Sequence, residues 1–314
     1  MYIDIIIVNW NSGDLLRKCL FSLNRFSCGN VSKVVVVDNG SVDTSADGLG
    51  KFDFPLQVLR NRENLGFARA CNQGAAVCDA RYLLFLNPDT ELFENSLVVP
   101  LAFMEDATNS DVGLCGIQLV DEKGRIAHTC AHFPTLSRFS AQAIGLGKIP
   151  GLKGVGVHMD EWDHLSEKSV DHVIGAFFFM RRSVFEALNG FDEQFFVYLE
   201  DVDFSLRAKQ TGWKTAYLTG AQAFHAGGGT SSQVKAARLF YSLRSRLLYG
   251  FKHFPPWQAW VLMGITLLLE PLSRSVFSLP RGGIHDVRNT WSGYSMLYRD
   301  LPNILGRSRG APEA

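Results

Sequence analysis

Apolar positions along this chain follow two periods, and the periods alternate. Ile3–Val8 and Val34–Val37 are β-branched runs, Leu56–Leu59 is a shorter one, and Tyr82–Leu86 is apolar at every position. Runs of that kind predict strands buried on both faces, as in the middle of a parallel sheet. Between the first two, Leu15, Leu16, Cys19, Leu20 and Leu23 form one face of a helix, with Asn11 or Ser12 as its cap. Ser41 offers a cap for a short helix after the second strand, and Asn61–Gly74 reads as a loop running into a small-residue helix before the fourth. Strand–helix alternation implies parallel pairing through right-handed crossovers. The pattern continues with a helix over Glu94–Met104, a strand over Val112–Val120 and a turn at Asp121–Gly124. Further on it predicts a buried strand over Val170–Met180, a helix from Ser183 to Leu188, a helix from Glu200 to Gly212 and a last strand over Trp213–Leu218. From Cys130 to Lys168 the periodicity dissolves around Pro150 and Gly145, Gly147, Gly151, Gly154 and Gly156. A long irregular stretch of this sort is either a functional lid or a surface insertion, and acceptor specificity is expected to reside there if it is a lid.

The strands end on polar residues: Asn9 and Asn11 after the first, Asp38 after the second, Asp89 after the fourth. In an open α/β sheet such ends lie side by side, at the edge where ligands bind. Pro88 cannot donate to a ladder, so pairing stops there and Asp89 is presented at the strand's carboxyl end. A carboxylate so placed suits a hard divalent cation carrying phosphate oxygens. Each of these residues alone would serve equally as a strand-ending turn. Neither G-x-G-x-x-G nor G-x-x-x-x-G-K-[ST] occurs, so neither a dinucleotide fold nor a P-loop is supported.

A second concentration of chemistry is Glu200-Asp-Val-Asp203 at the start of a helix. Acids in a first turn complement the positive helix end, which is one explanation for them. Glu200, Asp203 and Arg207 share a face, and Asp203 with Arg207 can be simple helix support. Asp201 points elsewhere, after the aromatic residues Phe195, Phe196 and Tyr198. Their desolvation would raise its pKa toward the range of a general base. In the next strand region, Gly175 and Ala176 are small residues that admit either a ligand or a neighbouring helix. His225 stands beside Gly227–Gly229, where backbone can approach phosphate.

Charge changes this picture at the carboxyl end. The 31 basic and 31 acidic residues cancel overall. From Val234 to Ala314, however, there are 11 Lys/Arg against 4 Asp/Glu, a net of +7, and the preceding part carries −7. Gln233–Phe254 reads as a basic helix, followed by the apolar run Trp257–Leu269 between prolines. Thirteen helical residues span about 20 Å, short of the roughly 30 Å hydrocarbon core. The expectation is an interfacial helix on an anionic membrane surface, or a helix packed on the rest of the protein. The expected organisation is a domain over 1–232, with halves 1–110 and 111–232, and a basic helical tail over 233–314. The six cysteines form no C-x-x-C pair or zinc spacing, and the chain starts in a strand without a basic leader. Both point to a reducing, cytoplasmic compartment with no secretory signal. No nucleic-acid recognition motif accompanies the basic tail.

Ile6-Ile-Val-Asn-Trp-Asn-Ser12, Val36-Val-Asp-Asn-Gly-Ser41, Asn64-Leu-Gly-Phe-Ala-x-x-x-Asn72-x-Gly74 and Leu86-Asn-Pro-Asp89 occur in that order. Together they resemble family 2 glycosyltransferases of the GT-A fold, and most closely their bacterial rhamnosyltransferase branch, over about Ile3 to Ser231. The resemblance implies an α/β fold with a mainly parallel central sheet, helices on both faces and a helical C-terminal extension. It implies an inverting transfer from a nucleoside-diphosphate sugar, dTDP- or UDP-linked and with rhamnose as the expected sugar, to a saccharide or lipid-linked saccharide acceptor. It implies that Val8, Asn9, Asn11 and Asp38 lie at the nucleotide, with Asn64, Gly66, Asn72, Asn87 and Arg207 around the rest of the donor. Gly175, Ala176 and Glu200 would meet the acceptor. Glu200-Asp-Val-Asp203 resembles the family's E-D-x-D motif, which makes Asp201 the catalytic base. Asp89, with His225, would hold a divalent cation, Mn²⁺ or Mg²⁺. The first position of the D-x-D element is here the amide Asn87, one carboxylate fewer for the metal. Two other readings remain at this level: an inactive nucleotide-sugar-binding protein, and a sugar-nucleotide pyrophosphorylase. The latter wants a basic Gly-rich N-terminal loop, which Asn9–Gly13 lacks.

Overall fold

The computed structural model of the chain describes residues 2–27, 29–146, 154–227 and 235–308. Cys28, the loop centre around Pro150 and the 228–231 part of the glycine loop lie outside the described residues. The chain forms two compact units. The first comprises Met1–His132, Trp162–Glu193 and Glu200–Thr230; the second comprises Phe133–Glu161, Gln194–Leu199 and Ser231–Ala314.

The first unit opens with β1 (Ile3–Asn9), α1 (Leu15–Phe26), β2 (Val31–Asn39), β3 (Leu56–Asn61), α2 (Phe67–Ala75) and β4 (Tyr82–Leu86). It continues with β5 (Thr90–Leu92), α3 (Val98–Glu105), β6 (Val112–Val120) and β7 (Cys130–Ala131). The helix α4 (Leu136–Ala143) belongs to the second unit. The first unit resumes with β8 (Lys168–Val170), β9 (His172–Val173), β10 (Phe177–Arg181), α5 (Arg182–Ala187), α6 (Glu200–Gln210) and β11 (Lys214–His225). The main sheet runs β3-β2-β1-β4-β10-β6-β11-β5, with β8 on β11, and β7 pairs β9 in a small separate sheet. Pairing is parallel from β3 to β4 and between β6 and β11. β10 enters antiparallel between β4 and β6.

Alternation along the strands explains the two covered faces. Ile3, Ile5 and Ile7, with Tyr82, Leu84, Leu86, Phe177 and Phe179, pack in one core with Leu16, Cys19, Leu20 and Leu23 of α1 and Leu101 and Met104 of α3. The opposite side chains, Phe85 and Phe178, meet Phe185 of α5, Phe204 of α6 and Phe191 from the turn after α5 in an aromatic cluster with ring centroids 4.9–6.2 Å apart. On that side α2 lies so close that a Cβ on Gly74 would stand 2.5 Å from Ile6 Cγ2, which accounts for its small residues.

Several local expectations are corrected. No helix follows Ser41; its hydroxyl instead accepts hydrogen bonds from the Asn9 side chain and the Asn11 amide. α1 has no side-chain cap, because Asn11 is turned to the Val42 and Asp43 amides. α3 begins at Val98 rather than Glu94. Val170–Met180 is three short strands, not one, with Gly175 and Ala176 in the break before β10. β11 runs on past Leu218 to His225, pairing with β6 through Phe224 and with β5 on its other edge at Ala223–His225.

In the second unit α7 (Lys235–His253) packs on α8 (Pro256–Gly264) and α9 (Glu270–Ser308, broken at Gly283). The apolar segment does not stop at Leu269. A π-helical turn over Ile265–Leu269 carries the helix through Pro271. Proline disrupts the bond to the carbonyl four residues earlier, here Leu267, and that oxygen accepts from the Tyr298 hydroxyl at 2.7 Å. Pro256–Phe277 is therefore one helix of 22 residues, about 33 Å, long and apolar enough to cross a membrane by length and composition. Its length, unlike that of the 13-residue apolar run alone, does not fall short of the hydrocarbon core.

Candidate active site

The carboxyl ends of β1 and β2 are joined edge to edge, with Asn9 opposite Asp38. The Asn9 amide donates to Asp38 Oδ1 at 3.0 Å and to the hydroxyls of Ser41 and Ser45. Arg60 Nη1 lies 3.4 Å from Asp38 Oδ2. Asp38 is buried, and each of its oxygens accepts a hydrogen bond. Val8, immediately before Asn9, is also buried. Asn64 and Gly66 sit at the start of α2 and are tied to the end of β2. Asn39 Nδ2 donates to Asn64 Oδ1 at 3.0 Å and to the Gly66 carbonyl at 3.1 Å.

Asp89 follows β4, at the same edge. Its neighbour Thr90 starts β5, which pairs antiparallel with the end of β11 and sets His225 opposite Thr90. The Ala226 amide donates to the Asp89 carbonyl at 3.1 Å, and His225 Nε2 stands 3.4 Å from Asp89 Oδ1. An imidazole nitrogen and a carboxylate oxygen on paired backbone form a fixed, mixed N/O donor set, which fits a divalent cation of the Mn²⁺ type. Among the described residues no cluster of three or more His, Cys, Asp or Glu side chains occurs.

Asp201 reaches that edge by a different route. The Asn87 amide donates to the Ala176 carbonyl at 3.0 Å, which ties the end of β4 to the break before β10. The adjacent Gly175 amide donates to Asp201 Oδ2 at 2.8 Å. A Cβ on Gly175 would stand 2.9 Å from that oxygen, so the small residue admits the α6 carboxylate. Val202 N–H donates to Asp201 Oδ1 at 2.8 Å from the positive end of α6. His172 Nε2 lies 3.4 Å from Oδ2. The two residues leading into α6, Tyr198 and Leu199, have φ of 69° and 66°, a left-handed pair that bulky side chains seldom adopt.

The expected upward pKa shift of Asp201 is reversed. Burial pulls it up, but the His172 imidazole and the Gly175 and Val202 amides outweigh burial and set it below the ordinary carboxylate range. The expected aromatic shell has other partners in the second unit: Phe196 stacks on Tyr241, and Lys252 lies over Phe195. Glu200 moves the other way. Burial first, and then the Asp201 charge, push it well above the usual range, and its Oε2 has no hydrogen-bond partner. The two neighbouring carboxyls are thus pushed in opposite directions, Glu200 up and Asp201 down.

Two expected donor residues are committed to packing. Asn72 bonds the Phe191 backbone through both ends of its amide, at 2.9 Å each, and also reaches Glu193. Arg207 donates to Asp203 Oδ2 and to the carbonyls of Leu188 and Gly190, holding α6 to the turn after α5. His172, Ser205 and Arg60 were not marked by sequence patterning. A lone histidine between short strands carries no periodic signal, and its partner lies 29 residues away.

The glycosyl transferase family 2 model matches residues 4–188, and that of glycosyl transferase family group 2 matches 158–298. The chain belongs to glycosyl transferase family 2. This family 2 enzyme is 26% identical over 287 residues to the N-acetylglucosaminyl-diphospho-decaprenol L-rhamnosyltransferase of Mycobacterium tuberculosis, over 86% of this chain and 92% of that one. It is 26% identical over 230 residues to rhamnosyltransferase WbbL of Escherichia coli K12, over 70% and 82% of the two chains. Among solved structures, GalNAc-T7 with UDP, GalNAc and Mn²⁺ aligns with a TM-score of 0.60 at 14% identity, over 99% of this chain and 58% of that one. TarS 1-349 of S. aureus aligns with a TM-score of 0.52 at 15% identity, over 96% and 92%. The fold is GT-A, and the glycosyltransferase is rhamnosyltransferase-like, as its motifs implied.

Proposed function

We propose that this glycosyltransferase moves L-rhamnose from a deoxythymidine diphosphate donor to a lipid-linked saccharide, with inversion, in the synthesis of a cell-surface polysaccharide. The observation that carries the mechanism is an ionised Asp201, hydrogen-bonded through Gly175 to the backbone segment that also holds Asn87 and Asp89. The choice of sugar and acceptor leans on two relatives named as rhamnosyltransferases, one with a diphospho-decaprenol acceptor. Asp201 takes the proton of an acceptor hydroxyl as that oxygen attacks the anomeric carbon. The bond from that carbon to the diphosphate oxygen breaks, and its electron pair leaves with the nucleoside diphosphate. Glu200, buried beside the base, is the residue expected nearest the acceptor on α6. Asn9 and Asp38 receive the nucleotide, with Val8 and Asn11 beside them, and Asn64 and Gly66 present the α2 amino end to the pyrophosphate. Asp89 and His225 would hold a divalent cation, which neutralises charge developing on the departing diphosphate. Asn72 and Arg207 contribute by holding the Phe191 and α6 backbone in place.

Incubation with dTDP-rhamnose and a diphospho-prenol-linked acceptor should release the nucleoside diphosphate and give a product of opposite anomeric configuration. Chelation should lower turnover by about tenfold or more, with recovery on adding Mn²⁺. Nucleotide binding without any product across a panel of sugar nucleotides would make the protein a sensor instead. Turnover indifferent to chelation would remove the cation assignment.

We further assign the second unit to an anionic membrane surface on the cytoplasmic side. The Pro256–Phe277 helix is inside out. Its packed side holds Thr266 and Glu270, while Trp257, Trp260, Val261, Leu268, Leu269, Leu272 and Val276 are exposed. Exposed Lys235, Arg238, Lys252, Arg288 and Arg299 supply complementary charge. The purified protein should bind vesicles containing anionic lipid about tenfold tighter than neutral ones near 0.15 M salt. Equal or absent binding to both would end this assignment.

A further inference from the structure

His172 lies outside every motif the family resemblance supplies, yet it touches the proposed base. β9 carries it, and β9 is anchored by pairing with β7. The ring is 3% exposed and sits between two residues of α6 spaced four apart. Nε2 is 3.4 Å from Asp201 Oδ2, and Nδ1 is 3.0 Å from Ser205 Oγ. Ser205 is buried as well, at 1%. For the Nε2 contact to attract, that nitrogen must carry hydrogen, and the Ser205 hydroxyl, able to donate or accept, partners Nδ1. The three side chains form a line that begins in the core and ends at Asp201, which keeps 16% of its side chain open against 4% for His172.

We propose that His172, held in orientation by its hydrogen bond with Ser205, is a positioning residue that fixes the Asp201 carboxylate to receive the acceptor proton. This rests on reading Asp201 as the base. The Gly175 and Val202 amides hold one oxygen each, and they alone would leave Oδ2 a single donor. The other groups facing the site are Glu200 and Asp203 on α6 and Cys71 on α2. Next to His172, Asp171 is paired with Lys209 at 2.7 Å and with His132 at 3.7 Å. Among these groups His172 is the side chain that stabilises the ionised form of Asp201, so its removal should shift the acidic limb of kcat/KM to higher pH.

The test uses the full chain with His172→Phe, His172→Gln, Ser205→Ala and Asp201→Asn, read by kcat, donor KM and pH profile. His172→Phe should lower kcat by about tenfold or more, leave donor KM within about twofold, and move the acidic limb up by about one pH unit. His172→Gln, which keeps a donor near Nε2, should restore most of the rate. Ser205→Ala should show a smaller shift in the same direction. An unmoved limb in His172→Phe, or equal losses in the Phe and Gln variants, overturns the proposal. Should the Phe variant fail to fold, the limb of Ser205→Ala decides in the same sense. Asp201→Asn separates the two readings. If that variant keeps turnover, the base assignment fails. If it is inactive while His172→Phe is normal, only the role of His172 fails.

Discussion

Asp201→Asn should lower kcat by about a thousandfold or more while leaving donor nucleotide affinity within about twofold. The substitution preserves size and one acceptor oxygen but removes the site that takes a proton. It also sets an NH₂ group against donors, since both carboxylate oxygens accept backbone N–H groups in the native chain. Asp38, Asn9 and Asn64 do not contact Asp201 in the described network, so nucleotide binding should survive. A secondary effect has a definite sign. Glu200 is held up partly by the Asp201 charge, so its pKa should fall in the variant. Any residual turnover should therefore come from Glu200 and disappear in a Glu200→Gln, Asp201→Asn double variant. Turnover of Asp201→Asn within tenfold of the native enzyme would remove the proposed mechanism.

Glu270→Ala should destabilise the second unit by about 3–5 kcal/mol. Glu270 is fully buried and binds two guanidinium groups, Arg246 at 2.5 Å and Arg274 at 2.7 Å. Arg246 is itself buried, lying over the Phe139 ring. Truncating the carboxylate strands that charge away from water, and this penalty rather than the lost attraction dominates. Replacing Glu270 and Arg246 together with apolar residues of similar size should therefore cost much less than Glu270→Ala alone. Urea unfolding followed by tryptophan fluorescence, which reports Trp257, Trp260 and Trp291 in this unit, reads both variants. A loss below about 1 kcal/mol for Glu270→Ala would mean that water reaches Arg246 and that the burial argument is wrong.

The order of buried strands and amphipathic helices through β4 was legible because each element carries its own period. Tyr82–Leu86 is apolar throughout and is central; Leu16, Cys19, Leu20 and Leu23 share a face and face the core. The clustering of Asn9, Asp38 and Asp89 was legible for a related reason, since parallel strands must end at one edge. The breaks inside Val170–Met180 were not legible. An apolar run carries no mark of where pairing changes partner, or that β10 runs antiparallel between β4 and β6. Pro271 misled in the same way. A proline predicts a helix end, but here a π turn and the Tyr298 hydroxyl, 31 residues away, absorb the freed Leu267 carbonyl.

Local pattern was sufficient for the α/β alternation, the polar strand ends and the E-D-x-D helix start, because period and turn chemistry act over a few neighbouring residues. Only the folded chain decided that Asp201 is set below and Glu200 above the ordinary carboxylate range, that His172 and Ser205 stand behind Asp201, and that Asn72 and Arg207 bond backbone. Those outcomes depend on burial and on hydrogen bonds between residues far apart along the chain, which no local period encodes.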